Sequence, residues 1–175
     1  MASRSAFQED LARCPSPVRW TDPALWVIAV YRLGRRILEI RSDPIRRMLL
    51  FLFLPLARAV ETMTKTSVPV FAEIGGGLSI ASCGMIFIHS DAVIGRNCTL
   101  RRGVTIGNAR EGGPTPIIGD NVEIGAYVQV LGAVRIGDGA KITSMSVVLK
   151  DVPAEGVASG IPAKARTGEQ RAARP

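Results

Sequence analysis

Aliphatic residues recur at every sixth position over much of this 175-residue chain. The series is Ile88, Ile94, Leu100, Ile106, Ile118, Ile124, Val130, Ile136, Ile142 and Val148. A period of six fits neither an α-helix, which repeats every ~3.6 residues, nor a single strand, which alternates every ~2. It predicts a solenoid of short strands and turns, in which three repeats make one coil and the aliphatic side chains fill the interior.

Two interruptions break the repeat. Ile80 and Ile88 are eight residues apart, so two extra residues bulge between them. The second interruption is residues 107–116, GNAREGGPTP, after which the repeat returns in phase. Its Gly, Pro and charged residues predict an extruded loop, which is either a place for substrate contacts or a plain surface excursion.

The N-terminal third carries helix signals instead of the repeat. Residues 1–20 suggest a loosely ordered lead-in. Thr21-Asp22-Pro23 predicts the start of a helix that runs to about Ile40, because a capping side chain precedes a proline. Ser42-Asp43-Pro44 predicts a second start, and Pro55 is expected to kink or end that helix.

The apolar run in the second helix has two interpretations. Met48 to Ala57 is too short to span a bilayer. Arginines precede it, so residues 44–60 fit a helix that lies on a membrane surface. The other interpretation is a helical hairpin buried against a partner subunit.

Charge and cysteine content narrow the classes of function. The net charge of +7 belongs to the two ends of the chain, with residues 66–155 near neutral. Aromatic residues are not interleaved with the basic ones, which argues against a nucleic-acid partner. Three cysteines without metal-like spacing, and a start without a signal-peptide pattern, predict reduced thiols, no metal site and a cytoplasmic location. The expected domains are a helical segment (1–65), a solenoid (66–166) and a disordered basic tail (167–175).

Several motifs together resemble one known family. GRNCTLRRGVTIGN, IGDNVEIGA, IGDGAKI, SVVLKDVP and SGIPAK are similar to the hexapeptide-repeat acyltransferases, in the branch of serine acetyltransferases and exopolysaccharide acetyltransferases. The resemblance covers roughly residues 66–166 and implies a left-handed parallel β-helix, mainly β, behind the N-terminal α-helical segment. It also implies a homotrimer with acetyl-CoA between neighbouring subunits, and pairing of two trimers through N-terminal helices. The residues it assigns to acetyl-CoA are Gly107, Gly125, Ala126, Gly160, Pro162 and Lys164.

The resemblance fails where the family handles its substrate. The family's base histidine, which takes the proton of the acceptor hydroxyl, aligns with Ser82 in GLSIASCGMIFI. The Arg-His pair that holds serine aligns with Pro114-Thr115. His89 is the remaining histidine, either a substitute base or part of a turn.

The expected cofactor groove also departs from the family. Family members carry Gly-Ala-Gly where this chain has Gly125-Ala126-Tyr127 and Thr143-Ser144-Met145. Tyr127 and Met145 are eighteen residues apart, one full coil, so they are expected to stack on one corner of the solenoid. There they either obstruct the groove or face solvent.

Three functions follow from these observations. The first is an acetyl-CoA-dependent O-acetyltransferase with an acceptor other than serine, such as a hydroxyl of a polysaccharide precursor. The second is a trimeric pseudoenzyme that serves as a scaffold or regulatory subunit. The third, a serine acetyltransferase for cysteine synthesis, conflicts with Ser82 and Pro114-Thr115.

Overall fold

The computed structural model describes residues 5–13 and 22–166. Three helices come first: α1 (Ala6–Ala12), α2 (Pro23–Leu38) and α3 (Asp43–Thr64). The strands that follow form three sheets, each of which runs along one face of a β-solenoid. This confirms the architecture that the six-residue period predicts.

Each of the first four coils contributes one strand to each sheet. Sheet A contains β1 (Thr66–Ser67), β4 (Ile86–Ile88), β7 (Thr105–Gly107), β10 (Gln129–Leu131) and β13 (Val147–Val148). Sheet B contains β2 (Glu73–Ile74), β5 (Val93–Ile94), β8 (Ile117–Ile118) and β11 (Arg135–Ile136). Sheet C contains β3 (Ser79–Ile80), β6 (Thr99–Leu100), β9 (Glu123–Ile124), β12 (Lys141–Ile142), β14 (Val157–Ser159) and β15 (Lys164–Arg166). All pairings are parallel except that of β14 with β15.

The aliphatic ladder occupies the interior in the predicted register. Ile88 pairs with Ile106, Leu100 with Ile124, and Val130 with Val148, and these side chains are at most 1% exposed. The smaller residues two positions earlier, such as Val128 and Ala140, are also buried. Alternate inward side chains from all three sheets therefore make one continuous core.

Glycine follows many ladder residues because successive coils approach closely at the corner between sheets B and C. A β-carbon on Gly75 would lie 2.7 Å from the carbonyl carbon of Gly95. A β-carbon on Gly95 would lie 2.5 Å from the carbonyl oxygen of Gly119. Any larger residue there would push two coils apart.

Both interruptions of the repeat lie at corners of the solenoid. The extra residues between Ile80 and Ile88 form a turn in which Gly84 and Met85 have positive φ angles of 117° and 54°. Residues 108–116 leave the solenoid between β7 and β8. The residues at the tip of that loop, 109–112, are exposed.

Residues near the N-terminus are more ordered than the sequence predicts. The expected loose lead-in contains α1, whose Asp10 is buried. The Asp10 carboxylate accepts hydrogen bonds from Arg32 Nε (2.8 Å) and from the backbone N–H of Leu78 (2.8 Å). Tyr31 donates its hydroxyl to the carbonyl of Ala72 at 2.7 Å. These side chains fasten α1 and α2 to the first coil of the solenoid.

The helix boundaries otherwise agree with the capping signals. Asp22 caps α2 by accepting from the backbone N–H of Ala24 at 2.9 Å. Of the two outcomes expected at Pro55, a kink or an end, the end does not occur, because α3 continues to Thr64. Packing of Phe53 and Val60, the two buried residues of α3, holds the helix on both sides of the proline. In the described parts of the chain, no helix combines the length and apolarity needed to cross a bilayer. The predicted tail, residues 167–175, lies outside the described residues.

Candidate active-site corner

Ser82 lies in the turn that joins β3 to β4, at the corner between sheets C and A. It is half-buried, and within the described part of the chain no side chain hydrogen-bonds to its hydroxyl. The neighbouring Cys83 is also half-buried, and burial, followed by the charge of Asp22, raises the pKa of its thiol to about 11. A serine without an adjacent base and a thiol that stays protonated are both weak nucleophiles.

His89 lies at the opposite end of β4 from Ser82, where sheet A turns toward sheet B. Its Nδ1 atom accepts a hydrogen bond from the backbone N–H of Asp91 at 3.2 Å. A nitrogen that accepts carries no proton, so the neutral ring holds its proton on Nε2. In this arrangement Nδ1 is occupied by the backbone, and Nε2 is the ring nitrogen left to face a substrate.

A column of left-handed residues follows the corner between sheets C and A, which we call the C–A corner. Its members in successive coils are Met85 (φ 54°), Gly103 (φ 72°), Tyr127 (φ 58°) and Met145 (φ 60°). Backbone hydrogen bonds from Tyr127 to Arg102 and from Met145 to Ala126 place the coils one above the other. The eighteen-residue spacing of Tyr127 and Met145 therefore does put them on one corner, as predicted.

Tyr127 covers the backbone of the preceding coil at this corner. A β-carbon on Gly103 would lie 2.4 Å from a carbon of the Tyr127 ring, so the ring occupies the space beside that glycine. Both Tyr127 and Met145 remain largely exposed, at 44% and 64%. Side chains other than glycine, asparagine and aspartate adopt the left-handed conformation at a cost of about 1 kcal/mol or more. The corner thus carries bulky side chains in a backbone conformation that favours glycine.

Comparison with known proteins places this geometry in a family. The family model described as bacterial transferase hexapeptide (six repeats) matches residues 115–150. A serine acetyltransferase of Helicobacter pylori is 31% identical over 167 residues, which cover 94% of each chain. The crystal structure of Neisseria gonorrhoeae serine acetyltransferase in complex with serine superposes with a TM-score of 0.76 and 30% identity, covering 93% of this chain and 68% of that one.

The chain belongs to the serine acetyltransferase family of hexapeptide-repeat proteins. Its solenoid is the left-handed parallel β-helix of that family. Several relatives are longer. Serine acetyltransferase 4 of Arabidopsis thaliana is 40% identical over 95 residues, 53% of this chain and 27% of the plant protein. The Synechococcus elongatus protein is 29% identical over 92% of this chain and 64% of its own length.

The residues that the family resemblance assigns to acetyl-CoA fall into three groups. Gly125, Ala126 and Gly160 lie at the C–A corner, where Gly160 donates its backbone N–H to the hydroxyl of Ser146, the neighbour of Met145. Gly107 lies at the far end of sheet A beside His89, whose Cβ would be 3.8 Å from a Gly107 β-carbon. Pro162 and Lys164 belong to the exposed terminal turn and β15. One subunit of this family member therefore collects three of the six residues at a single corner.

The end of the 108–116 loop is fixed by a side-chain contact. Thr115 donates its hydroxyl to the backbone carbonyl of Asp91 at 2.8 Å. This hydrogen bond ties the end of the 108–116 loop to the turn that contains His89. Thr115 therefore helps to fix the position of the loop.

Sequence reasoning overlooked two arginines at the C–A corner. Arg101 and Arg102 are exposed and directly precede Gly103. The signal was present, since a dibasic pair follows the ladder residue Leu100. Their position gives the corner a positive charge next to Tyr127.

A cavity of about 330 Å³ lies away from this corner, between α2, α3 and residues 66–71. Its walls are mainly apolar, and its charged residues Arg58 and Glu61 form an ion pair at 3.2 Å. Because it contains neither Ser82 nor Tyr127, it is a gap between helices and solenoid and has no place in the family chemistry.

Proposed function

We propose that this chain is an acetyl-CoA-dependent O-acetyltransferase whose acceptor is a hydroxyl other than that of serine. Family membership over nearly the whole chain supports the acetyl-transfer part of the proposal. The structure of a related serine acetyltransferase in complex with CoA superposes with a TM-score of 0.71 and 26% identity. The observation that carries the choice of acceptor is Pro114-Thr115, at the positions where the family holds serine, with the Thr115 hydroxyl turned to the backbone of Asp91.

The reaction needs a route for one proton. The acceptor oxygen bonds to the thioester carbon, the carbon–sulfur bond breaks, and the acceptor proton ends on the sulfur of CoA. A positioned base normally takes that proton first. Ser82 cannot do so, and His89 presents a donor as arranged, so we assign the proton transfer to the substrates themselves. A sugar hydroxyl with neighbouring oxygens in a polysaccharide precursor would suit this route.

A second candidate function is a catalytically silent scaffold or regulatory subunit. The position of Tyr127 over Gly103 favours it, since the ring occupies the face of the coil that the family leaves open with glycine. Met145 adds a second bulky side chain one coil further on. A pantetheine arm that has to lie along this corner would meet both side chains. On this proposal the groove is closed and the chain acts through binding.

The assembly that we propose for either function is a homotrimer in the cytoplasm. Exposed Phe87, Leu149 and Ile161 support subunit contacts on the solenoid, because large apolar residues outside a core commonly mark interfaces. Within the described residues, Cys83 and Cys98 are free thiols, which suits a reducing compartment. Pairing of trimers would use the N-terminal helices.

Calorimetric titration of the purified full chain with acetyl-CoA, and with free CoA, separates the two candidate functions. Micromolar binding with one site per subunit supports the transferase and turns the search to acceptors. Absence of heat at millimolar ligand supports the scaffold. The matched variant is Tyr127→Gly/Met145→Gly, which should bind acetyl-CoA if bulk alone closes the groove. Acetylation of free serine within tenfold of an ordinary turnover of about 10 per second would refute both candidates.

A further inference from the structure

Helix α3 has a second apolar face that nothing in the described structure covers. The helix buries only Phe53 and Val60. Six large side chains on its other surface are between 48% and 84% exposed: Ile45, Met48, Phe51, Leu52, Leu56 and Met63. We call these six residues the α3 stripe.

The α3 stripe is continuous along the helix. Ile45, Met48, Leu52 and Leu56 follow one another at spacings of three or four residues, so they share one side. From Ile45 to Met63 the stripe is about 27 Å long at about 1.5 Å per residue. Its six members are all apolar, and an exposed apolar face of this length marks a surface that binds an apolar partner.

Positive charge is concentrated at one end of the stripe. Residues 35–47, which join α2 to α3, contain five arginines and two acidic residues, a net charge of +3. The nearest acidic groups on α3 are already paired, Asp43 with Arg46 and Glu61 with Arg58. Among the described residues, Arg35, Arg36, Arg41 and Arg47 form no ion pair, so this end of the hairpin lacks a negative partner.

We propose that the α3 stripe and the arginines at its N-terminal end dock on a bilayer surface that contains anionic phospholipids. Such a surface supplies an apolar layer and negative headgroups side by side, and this matches the two chemistries of the helix. The helix would lie in the plane of the interface, since it is not apolar enough to cross. This inference does not rest on the proposed acetyl transfer.

A second copy of the chain matches the stripe less well. Contact between two α3 stripes would cover the apolar side chains, but it would add a second +3 segment to the assembly without an acidic counterpart. The solenoid offers little net charge to offset the arginines, because residues 66–155 carry seven basic and eight acidic side chains. Charge complementarity therefore favours lipid over self-association.

Vesicle flotation of the full chain tests the proposal. The vesicles are phosphatidylcholine with about one third phosphatidylglycerol, compared with phosphatidylcholine alone. The wild type should float with the anionic vesicles and much less with the neutral ones. Phe51→Ser/Leu52→Ser should weaken partitioning by about a hundredfold or more, because two large side chains leave the apolar layer. Arg41→Ser/Arg47→Ser should weaken it by about twenty-five-fold, at about fivefold per arginine.

Two controls test whether the loss of binding is specific to the α3 stripe and whether each variant is folded. Phe71→Ser/Ile117→Ser changes exposed apolar residues on the solenoid and should float like the wild type. All of these side chains are exposed, so circular dichroism and thermal unfolding should be unchanged in each variant.

Two results would overturn the proposal. One is a wild type that stays at the bottom of the gradient with anionic vesicles, or that floats equally well after Phe51→Ser/Leu52→Ser. The other is that the wild type does not float and that the Phe51→Ser/Leu52→Ser variant has half the mass of the wild type in sedimentation. The second result would assign the stripe to contact between copies of the chain.

Discussion

Replacing Asp10 with alanine should destabilise the protein more than any surface ion-pair mutation. The Asp10 side chain is fully buried and its partner Arg32 is 11% exposed. Alanine removes the acceptor for Arg32 and for the backbone N–H of Leu78. Breaking a buried ion pair from one side typically costs about 3–5 kcal/mol. Arg32 keeps its bonds to the carbonyls of Ile74 and Gly75, so we expect a loss of about 3–4 kcal/mol.

Urea unfolding at a fixed protein concentration measures this loss, because subunit assembly would otherwise shift the midpoint. The matched control is Glu123→Ala, which breaks the Lys141–Glu123 pair at 3.1 Å. Both members of that pair are more than half exposed, so its loss should change stability by less than about 1 kcal/mol.

A double substitution tests the reason for the loss. Asp10→Ala/Arg32→Met removes both charges and leaves an apolar side chain close to arginine in size at position 32. It should be more stable than Asp10→Ala alone, since no unpaired charge remains buried. If Asp10→Ala unfolds at the same urea concentration as Glu123→Ala, the reasoning that α1 is fastened by this ion pair is refuted.

Three further predictions concern the corners and the thiols. Gly103→Ala should lower the free energy of unfolding by about 2–3 kcal/mol, because its β-carbon would meet the Tyr127 ring at 2.4 Å at a positive φ. In a Tyr127→Gly background the loss in urea titration should fall to about 1 kcal/mol, and an unchanged loss would contradict the contact. Gly95→Ala should be destabilising by more than about 1 kcal/mol in the same assay, because its β-carbon would meet the backbone of the next coil at 2.5 Å. In a Cys14→Ser background, alkylation of Cys83 and Cys98 at pH 8 should be slow and should accelerate as the pH rises toward 11, because burial raises the pKa of both thiols to about 11. Fast labelling of the native protein at pH 8 would show that these thiols are accessible and ionised.

The solenoid could be predicted because the position of each residue in it depends on short sequence spacings. A residue such as Ile124 reaches the interior through a spacing of six and meets Ile142 one coil later, without help from distant parts of the chain. Stacking of Tyr127 and Met145 followed from the same arithmetic. Their left-handed backbone did not, since the period gives position but not φ.

The N-terminal errors have a different physical origin. Helix α1 is only seven residues long, and its stability depends on the contact of Asp10 with Arg32 and Leu78, which lie far away in sequence. One local signal was available, because the side chain of Gln8 accepts from the backbone N–H of Ser5 in a Ser-x-x-Gln capping pattern. Pro55 does not end α3, because a proline penalty is local, whereas the packing that keeps the helix together is not.

The candidate site could be predicted only in part. Loss of the base at Ser82 is visible from alignment with the family motif. The orientation of the His89 ring could not be predicted from the sequence. It depends on the hydrogen bond that Nδ1 accepts from the backbone N–H of Asp91. The separation of Ser82 and His89 by the length of β4 likewise depends on how the chain turns at both corners.

A parallel solenoid is a template for its own continuation, since each coil offers the next one a full set of backbone donors and acceptors. The buried side chains of α1 and α2 block the open edge of the first coil. Asp10, Tyr31 and Arg32 already hydrogen-bond to backbone groups of residues 72–78. At the other end of sheet C, β15 runs antiparallel to β14, a direction in which a parallel coil cannot propagate. The two ends stop polymerisation by different chemistry, so a mutation that frees one end leaves the other blocked. Filament growth needs two open ends on every subunit. It would therefore require the loss of both the helix contacts at the first coil and the antiparallel β15.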